Sequence, residues 1–298
     1  MTELWNFAVV GPGGVGGLLG AVLARAGHAV QYVARPDTAA ALNERGLSVH
    51  SAQFGDFHVP APAVPRLAGP VDACLVAVKA TQLDAALESL PAQAVGDGLV
   101  LPLLNGVDHM EVLRGRYPAG QVVAGAIRVE STRTAAGRIE HTSPFSWMEL
   151  ASHTAPPERV DALAARLRQA GFEVTVRDDE TALLWDKLAF LAPLALLTTH
   201  AAGPVGEVRE HRRDDLEAVI GEVTAVAGAA GAQVDPAKIL DMFERVPAGM
   251  KSSMLRDAEA HRPTELDAIG GAVLRAADRY GVPAPVTARL VEDLRTRP

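Results

Sequence analysis

NFAVVGPGGVGGLLGAVLARAGHAVQYVAR, residues 6–35 of the chain, carries the pattern from which the rest is read. Residues 7–10 form a short apolar run suited to a buried strand, and they lead straight into Gly11, Gly13 and Gly16, spaced as G-x-G-x-x-G. Residues 18–26 are apolar and alanine-rich and predict a helix that stops at Gly27, after which 29–34 return to strand character. The stretch is one β-α-β unit. In such a unit the first glycine makes the tight turn, the second lets backbone approach a pyrophosphate and the third lets the helix pack on the sheet. The free N–H groups at the helix start then hold the anion. Gly11, Gly13, Gly14, Val15 and Gly16 are therefore the candidate dinucleotide-binding turn. Glycine-rich turns also join ordinary strands and helices, so the context has to decide.

The residues just after the second strand discriminate further. A site for NAD calls for Asp or Glu about 20 residues beyond the glycines, to accept hydrogen bonds from the ribose hydroxyls. This chain offers Ala34 and Arg35 there. A guanidinium binds a 2′-phosphate through charge-assisted hydrogen bonds that a carboxylate would oppose. The reading is NADP(H) rather than NAD, with Arg35 as the phosphate contact; a solvated surface arginine is the plainer alternative.

Bulk composition excludes several function classes. The 298 residues are 48% hydrophobic but only 4% aromatic, so two ordinary domains with cores of Ala, Val and Leu are expected. A net charge of −8 argues against sequence-independent nucleic-acid binding, which needs a basic face. Cys74 is the single cysteine, so no internal disulfide can form, and its place in the apolar run 72–78 suits core packing. The first six residues lack the basic region of a signal peptide, and the longest apolar run, 188–197, is about half of a bilayer span. The expectation is a cytoplasmic protein with no membrane partner. A homodimer is compatible with the chain, and its oligomeric state is left open.

Along the chain, 38–45 predicts a helix ended by Gly46, and 47–64 irregular strands broken by prolines. Residues 73–78 predict a buried strand stopping at Lys79, 83–90 a helix capped by Thr81, and 98–104 a strand ending in Asn105 and Gly106. In open parallel sheets ligands bind beyond the carboxyl ends of strands, which makes Lys79 and Asn105 candidate binding residues. Asn-Gly is also a common turn pair. Short alternating segments across 121–150 suggest strands that extend the sheet, followed by a helix over 159–169 and a last strand over 172–176. Beyond Asp178 the pattern turns helical to the end. The predicted architecture is α/β: a doubly wound parallel sheet in residues 1–177, then an all-helical domain in 178–298. The second domain opens with TALLWDKLAFLAPLALLTT, which places Leu184, Lys187, Leu188, Leu191 and Ala195 on one helical face, with Pro193 expected to kink or break the helix. Further helices are expected over 212–228, 236–246, 265–280 and 285–295. His141, His200 and His261 show no metal-ligand spacing, and no metal site is expected.

Together these residues resemble the ketopantoate reductases (2-dehydropantoate 2-reductases). The landmarks are the glycine motif, Val78-Lys79, Asn105-Gly106, LWDKL around Lys187, and SSMLRD at 252–257 followed by TELD at 264–267. The resemblance covers nearly the whole chain. It implies a Rossmann domain, a helical second domain, NADPH, and reduction of a 2-oxo acid to a 2-hydroxy acid, as in pantothenate biosynthesis. It also implies Lys187 as proton donor, Glu265 as a catalytic and substrate contact, Ser253 as a substrate contact, and Lys79 and Asn105 as residues serving cofactor and substrate.

The chemistry suits those roles. Hydride addition to a ketone leaves an alkoxide, which needs a proton donor or a fixed cation beside it. A free lysine titrates at about 10.4, and burial among Leu184, Leu188 and Leu191 would bring it toward neutrality. Lys187 snorkelling to water or pairing with an acid such as Glu265 is the structural alternative, and for Ser253 it is a helix cap. Four positions depart from the pattern the resemblance implies: Leu191, Ala195, Val205 and Met250 stand where substrate-binding asparagines are usual. A small-molecule 2-oxo acid remains the expected substrate, either ketopantoate itself or a less polar acid. A related ketone reductase, a β-hydroxyacid dehydrogenase and a non-catalytic NADP sensor are the alternatives.

Overall fold

The computed structural model describes residues 3–297; Met1, Thr2 and Pro298, at the ends of the two expected domains, lie outside the described residues. The described residues form two compact units, one of 3–104 and 109–183, the other of 105–108 and 184–297.

The first unit begins β1 (Asn6–Val10), α1 (Gly14–Arg25), β2 (Ala29–Val33), α2 (Pro36–Arg45), β3 (Leu47–Ser51), β4 (Phe57–Val59), β5 (Ala63–Val64) and β6 (Ala73–Val76). A short 3₁₀ turn, Ala80–Gln82, leads to α3 (Leu83–Glu88), α4 (Ala92–Val95) and β7 (Leu99–Pro102). Strands run in the order β5-β2-β1-β6-β7, all parallel, so the order reverses beside β1, where the glycine turn leaves the sheet. Every residue of β6 and β7 is buried, which is why these strands read as unbroken apolar runs rather than alternation.

The unit continues with α5 (His109–Arg116), β8 (Ala124–Arg128), β9 (Ser131–Ala135), β10 (Arg138–His141), β11 (Trp147–Ala151), α6 (Pro157–Ala170) and β12 (Glu173–Val176). These strands do not extend the parallel sheet, as their alternation suggests. They form two sheets of their own, β4-β3-β10-β9 and β12-β11-β8, the latter tied to β7 by a bridge between Val100 and Val122. Nor does Thr81 cap α3: it lies inside the 3₁₀ turn, Gln82 holds the cap position, and no side-chain cap bond forms.

His141 is the buried polar centre of the second sheet, 1% exposed. Its Nε2 faces the Phe145 carbonyl at 3.2 Å and the Ser143 hydroxyl at 3.0 Å, and its Nδ1 faces Ser51 Oγ at 2.8 Å. Burial lowers its pKa below 6.5, with the Phe145 carbonyl opposing the shift. A histidine depressed in the fold contributes stability that is complete above the unfolded value, near pH 6.5, and is lost as pH falls through the lower folded value. Thermal unfolding should therefore drop in midpoint between pH 7 and pH 5. His141→Gln should flatten that part of the profile, and a variant profile parallel to the parent's would exclude the residue as its source.

The helical unit is built from α7 (Glu180–Ala201), whose first turn belongs to the other unit, α8 (Val205–His211), α9 (Arg213–Ala229), α10 (Pro236–Arg245) and α11 (Ser253–Glu259). After a π-helical stretch, Asp267–Gly271, come α12 (Ala272–Tyr280) and α13 (Pro285–Arg295). Pro193 does not break α7: the helix continues through it to Ala201. Proline removes one backbone hydrogen bond and crowds the preceding turn. The neighbours Ala189, Ala192 and Ala195 are small and fully buried, and packing on both sides offsets the local cost. By length and composition α7 could cross a membrane, but most of it is buried inside the fold. The expected boundary at 177/178 differs from the observed division, which falls within α7 between Leu183 and Leu184.

Candidate active site

The glycine turn is shaped by close approaches that leave no room for side chains. Gly11 has a φ of +85°, and a Cβ there would lie 2.6 Å from Val78 Cγ1. At Gly16 a Cβ would lie 2.3 Å from the Gly11 carbonyl oxygen. Gly13 is different. It occupies the N-cap of α1 without a side-chain cap, and a Cβ there would meet nothing within 4 Å. The open space over uncapped N–H groups at the start of a twelve-residue helix is the cradle a pyrophosphate requires. The residues present therefore fit a dinucleotide. Gly14 is tight for a separate reason: its Cβ would lie 2.1 Å from the Ser131 carbonyl oxygen, and Ser131 Oγ donates to the Gly14 carbonyl at 2.8 Å. Val15 comes next in α1, partly buried against the core.

Arg35 lies just past β2, at the N-cap position of α2, exposed and with no side-chain partner among the described residues. Lys79 lies just past β6 and begins the 3₁₀ turn; its neighbour Val78 packs against Gly11, so the two loops meet.

Asn105 lies beyond the end of β7, yet with Gly106, Val107 and Asp108 it packs in the helical unit. Its Nδ2 donates to Glu265 Oε2 at 2.9 Å. Gly106 has a φ of +83°, and a Cβ there would lie 2.1 Å from the Ala268 carbonyl oxygen. Asp108 Oδ2 accepts from Arg275 at 2.7 and 3.0 Å, and Arg275 also donates to Asp267 Oδ1 at 3.0 Å. The turn is thereby held at three successive points to the segment running from Glu265 into α12. Glu265 itself is 7% exposed.

Lys187 lies partly buried on α7. The unbroken helix keeps Leu191 and Ala195 four and eight residues further on along the same face, and Thr198 one turn beyond. Thr198 Oγ1 and Ser252 Oγ are 2.8 Å apart, and Ser252 accepts from the Leu255 N–H at 3.0 Å. Ser252, not Ser253, is the cap of α11; Ser253 is the first helical residue and its side chain is exposed. Val205 and Met250 are joined through their backbones, N–H to carbonyl at 2.9 Å. Sequence reading missed Thr198, Ser252 and the Asp108–Arg275 pair. A Ser-Ser pair before a helical run signals a cap without saying which serine supplies it.

Comparison with known proteins matches the architecture along its length. The family model described as ketopantoate reductase PanE/ApbA matches residues 7–154, and its C-terminal counterpart matches residues 180–297. The chain belongs to the ketopantoate reductase family. The 2-dehydropantoate 2-reductase of Mycobacterium tuberculosis is 31% identical over 96% of this chain and 95% of its own. An uncharacterized oxidoreductase of Bacillus subtilis is 31% identical over 94% and 95%. Among solved structures, the 2-dehydropantoate 2-reductase of Geobacter metallireducens superposes with a TM-score of 0.89 at 30% identity, covering 96% of this chain and 98% of that one. The chain is accordingly a ketopantoate reductase-like, NADP(H)-dependent oxidoreductase, with the Rossmann-type domain and helical domain of its family.

Proposed function

We propose that the chain reduces a branched 2-oxo acid to the 2-hydroxy acid, the reaction of a 2-dehydropantoate 2-reductase or of a close relative with a less polar substrate. The observation that carries this reading is the buried Glu265 carboxylate, bonded to Asn105 in the same helical unit as Lys187. Bound NADPH supplies a hydride to the carbonyl carbon. Gly11, Gly13, Gly14, Val15 and Gly16 hold its pyrophosphate, Arg35 its 2′-phosphate, and Lys79 and Asn105 complete the contacts to cofactor and substrate. Lys187 gives its proton to the oxygen that becomes the hydroxyl, and a proton from solvent then restores it. Glu265 and Ser253 orient the substrate, with Asn105 fixing the carboxylate of Glu265.

The four apolar positions favour the less polar substrate. Ala195 and Val205 are fully buried, and Leu191 and Met250 are partly so. A substrate hydroxyl left without a partner among such side chains costs about 1–3 kcal/mol, so kcat/KM should be roughly tenfold or more higher for 2-oxoisovalerate than for ketopantoate. Steady-state NADPH oxidation with both acids tests this. Preference for ketopantoate would refute the apolar assignment and leave the reductase reading standing; no turnover of any branched 2-oxo acid would refute both.

A further inference from the structure

Beside the glycine turn the first unit holds a pocket of about 380 Å³, lined by Pro12, by Asp37 and Thr38 at the start of α2, and by Arg133, Thr134 and Gly137 of the β9–β10 hairpin. Pro12 lies between Gly11 and Gly13, so the pocket reaches the glycine turn at that residue. The hairpin is fixed there by the approach of Gly14 to Ser131, two residues before Arg133 in β9.

The charge distribution gives the pocket its meaning. In an acidic chain most arginines are paired; among the described residues, those whose side chains make no hydrogen bond, ion pair or ring contact are Arg35, Arg133 and Arg138. Arg133 lines the pocket, Arg35 precedes α2 by one residue, and Arg138 is next to Gly137 in the hairpin. An unpaired guanidinium on the wall, with two more one and two residues in sequence from lining residues, would stabilise a bound anion. For a dinucleotide held on Gly13, the anion one ribose removed from its pyrophosphate would be the 2′-phosphate. Asp37 is the acid on the wall, and it lies in the first turn of α2, where the helix dipole favours it. It can accept from the remaining ribose hydroxyl, a role that needs a cation nearby to keep the dianion tolerable.

We propose that Arg133, with the Thr38 hydroxyl, is a second specificity determinant for the 2′-phosphate of NADP(H), acting alongside Arg35. The inference rests on the cofactor assignment and on the hairpin's place against the glycine turn. Sequence reading had no route to it, because Arg133 is about 100 residues from Arg35 and belongs to a separate sheet.

Equilibrium titration of the full-length protein by reduced-nicotinamide fluorescence, with NADPH and with NADH, separates the outcomes. Arg133→Met should raise the Kd for NADPH tenfold or more, leave that for NADH within about twofold, and lower the salt dependence of NADPH binding. Arg133→Lys should recover part of the loss, which a merely misfolded hairpin would not. Unchanged NADPH binding, or equal weakening of both cofactors, would overturn the proposal. If Arg35→Met alone then removed the preference for NADPH, the NADP(H) assignment would survive without Arg133; if the parent protein itself made no distinction between the two cofactors, that assignment would fall as well.

Discussion

The Lys187→Ala variant is expected to bind NADPH as the parent does and to turn over about 10² to 10⁴ times more slowly, the range that general acid catalysis contributes. The separation of the two effects comes from where the residues sit. The glycine turn proposed to hold the pyrophosphate belongs to the Rossmann-type unit, and Lys187 to the helical one. Truncation removes the proposed proton donor without touching the glycine turn. Lys187 is partly buried on a helix whose neighbours Leu184, Leu188 and Ala189 are buried, so a far-UV circular dichroism spectrum and a melting curve belong with the kinetics. A variant that folds, binds NADPH and keeps more than about a tenth of parental kcat would show that the proton comes from elsewhere. A parent protein that binds NADPH and reduces no 2-oxo acid would point instead to the sensor alternative.

Gly106→Val is expected to have the next largest effect, lowering kcat/KM by about a hundredfold or more and destabilising the fold by about 2–4 kcal/mol. Two penalties coincide at that residue. Its φ of +83° disfavours any side chain, and a Cβ would lie 2.1 Å from the Ala268 carbonyl oxygen, where only backbone can yield. The displacement would act on Asn105 directly and part its amide from Glu265, now 2.9 Å away. Urea denaturation and steady-state kinetics read the two losses separately. Asn105→Ala serves as the control: it removes the amide and keeps the turn, so it should share the kinetic defect and little of the instability. If Gly106→Val were stable and fully active, the tight contact at Ala268 would have no bearing on the site.

Much of this fold is legible in the sequence because its strands are buried on both faces. Runs such as ACLV at 73–76 and LVLP at 99–102 have few readings other than central parallel strands. The glycine turn is legible for a different reason: each glycine answers a separate demand for space, and the spacing records those demands. What the sequence withholds is partnership. Residues 121–150 alternate as strands do, but alternation is silent about which edge a strand joins, and here the strands close two further sheets. The same limit hides the membership of Asn105. Adjacency along the chain assigns it to β7, whereas its contacts lie with Glu265 and Ala268. Pro193 shows the converse case, a helix-breaking signal that does not end the helix where the neighbouring alanines are buried.

The π-helical stretch Asp267–Gly271 has a consequence for how the site can change. Each π turn contains one residue more than an α turn, so Glu265 and the body of α12 are out of step by a single insertion. Downstream, Val273 and Ala277 are anchored in the core, and they cannot rotate to track an edit made nearer the start. Losing one residue between 267 and 271 would restore regular α winding, yet it would swing the carboxylate by about 100°, one α-helical step, away from the Asn105 amide. The aim of Glu265 is thus written in the count of residues that precede Ala272, and it is sensitive to length in a stretch whose Ile269, Gly270 and Gly271 are themselves buried.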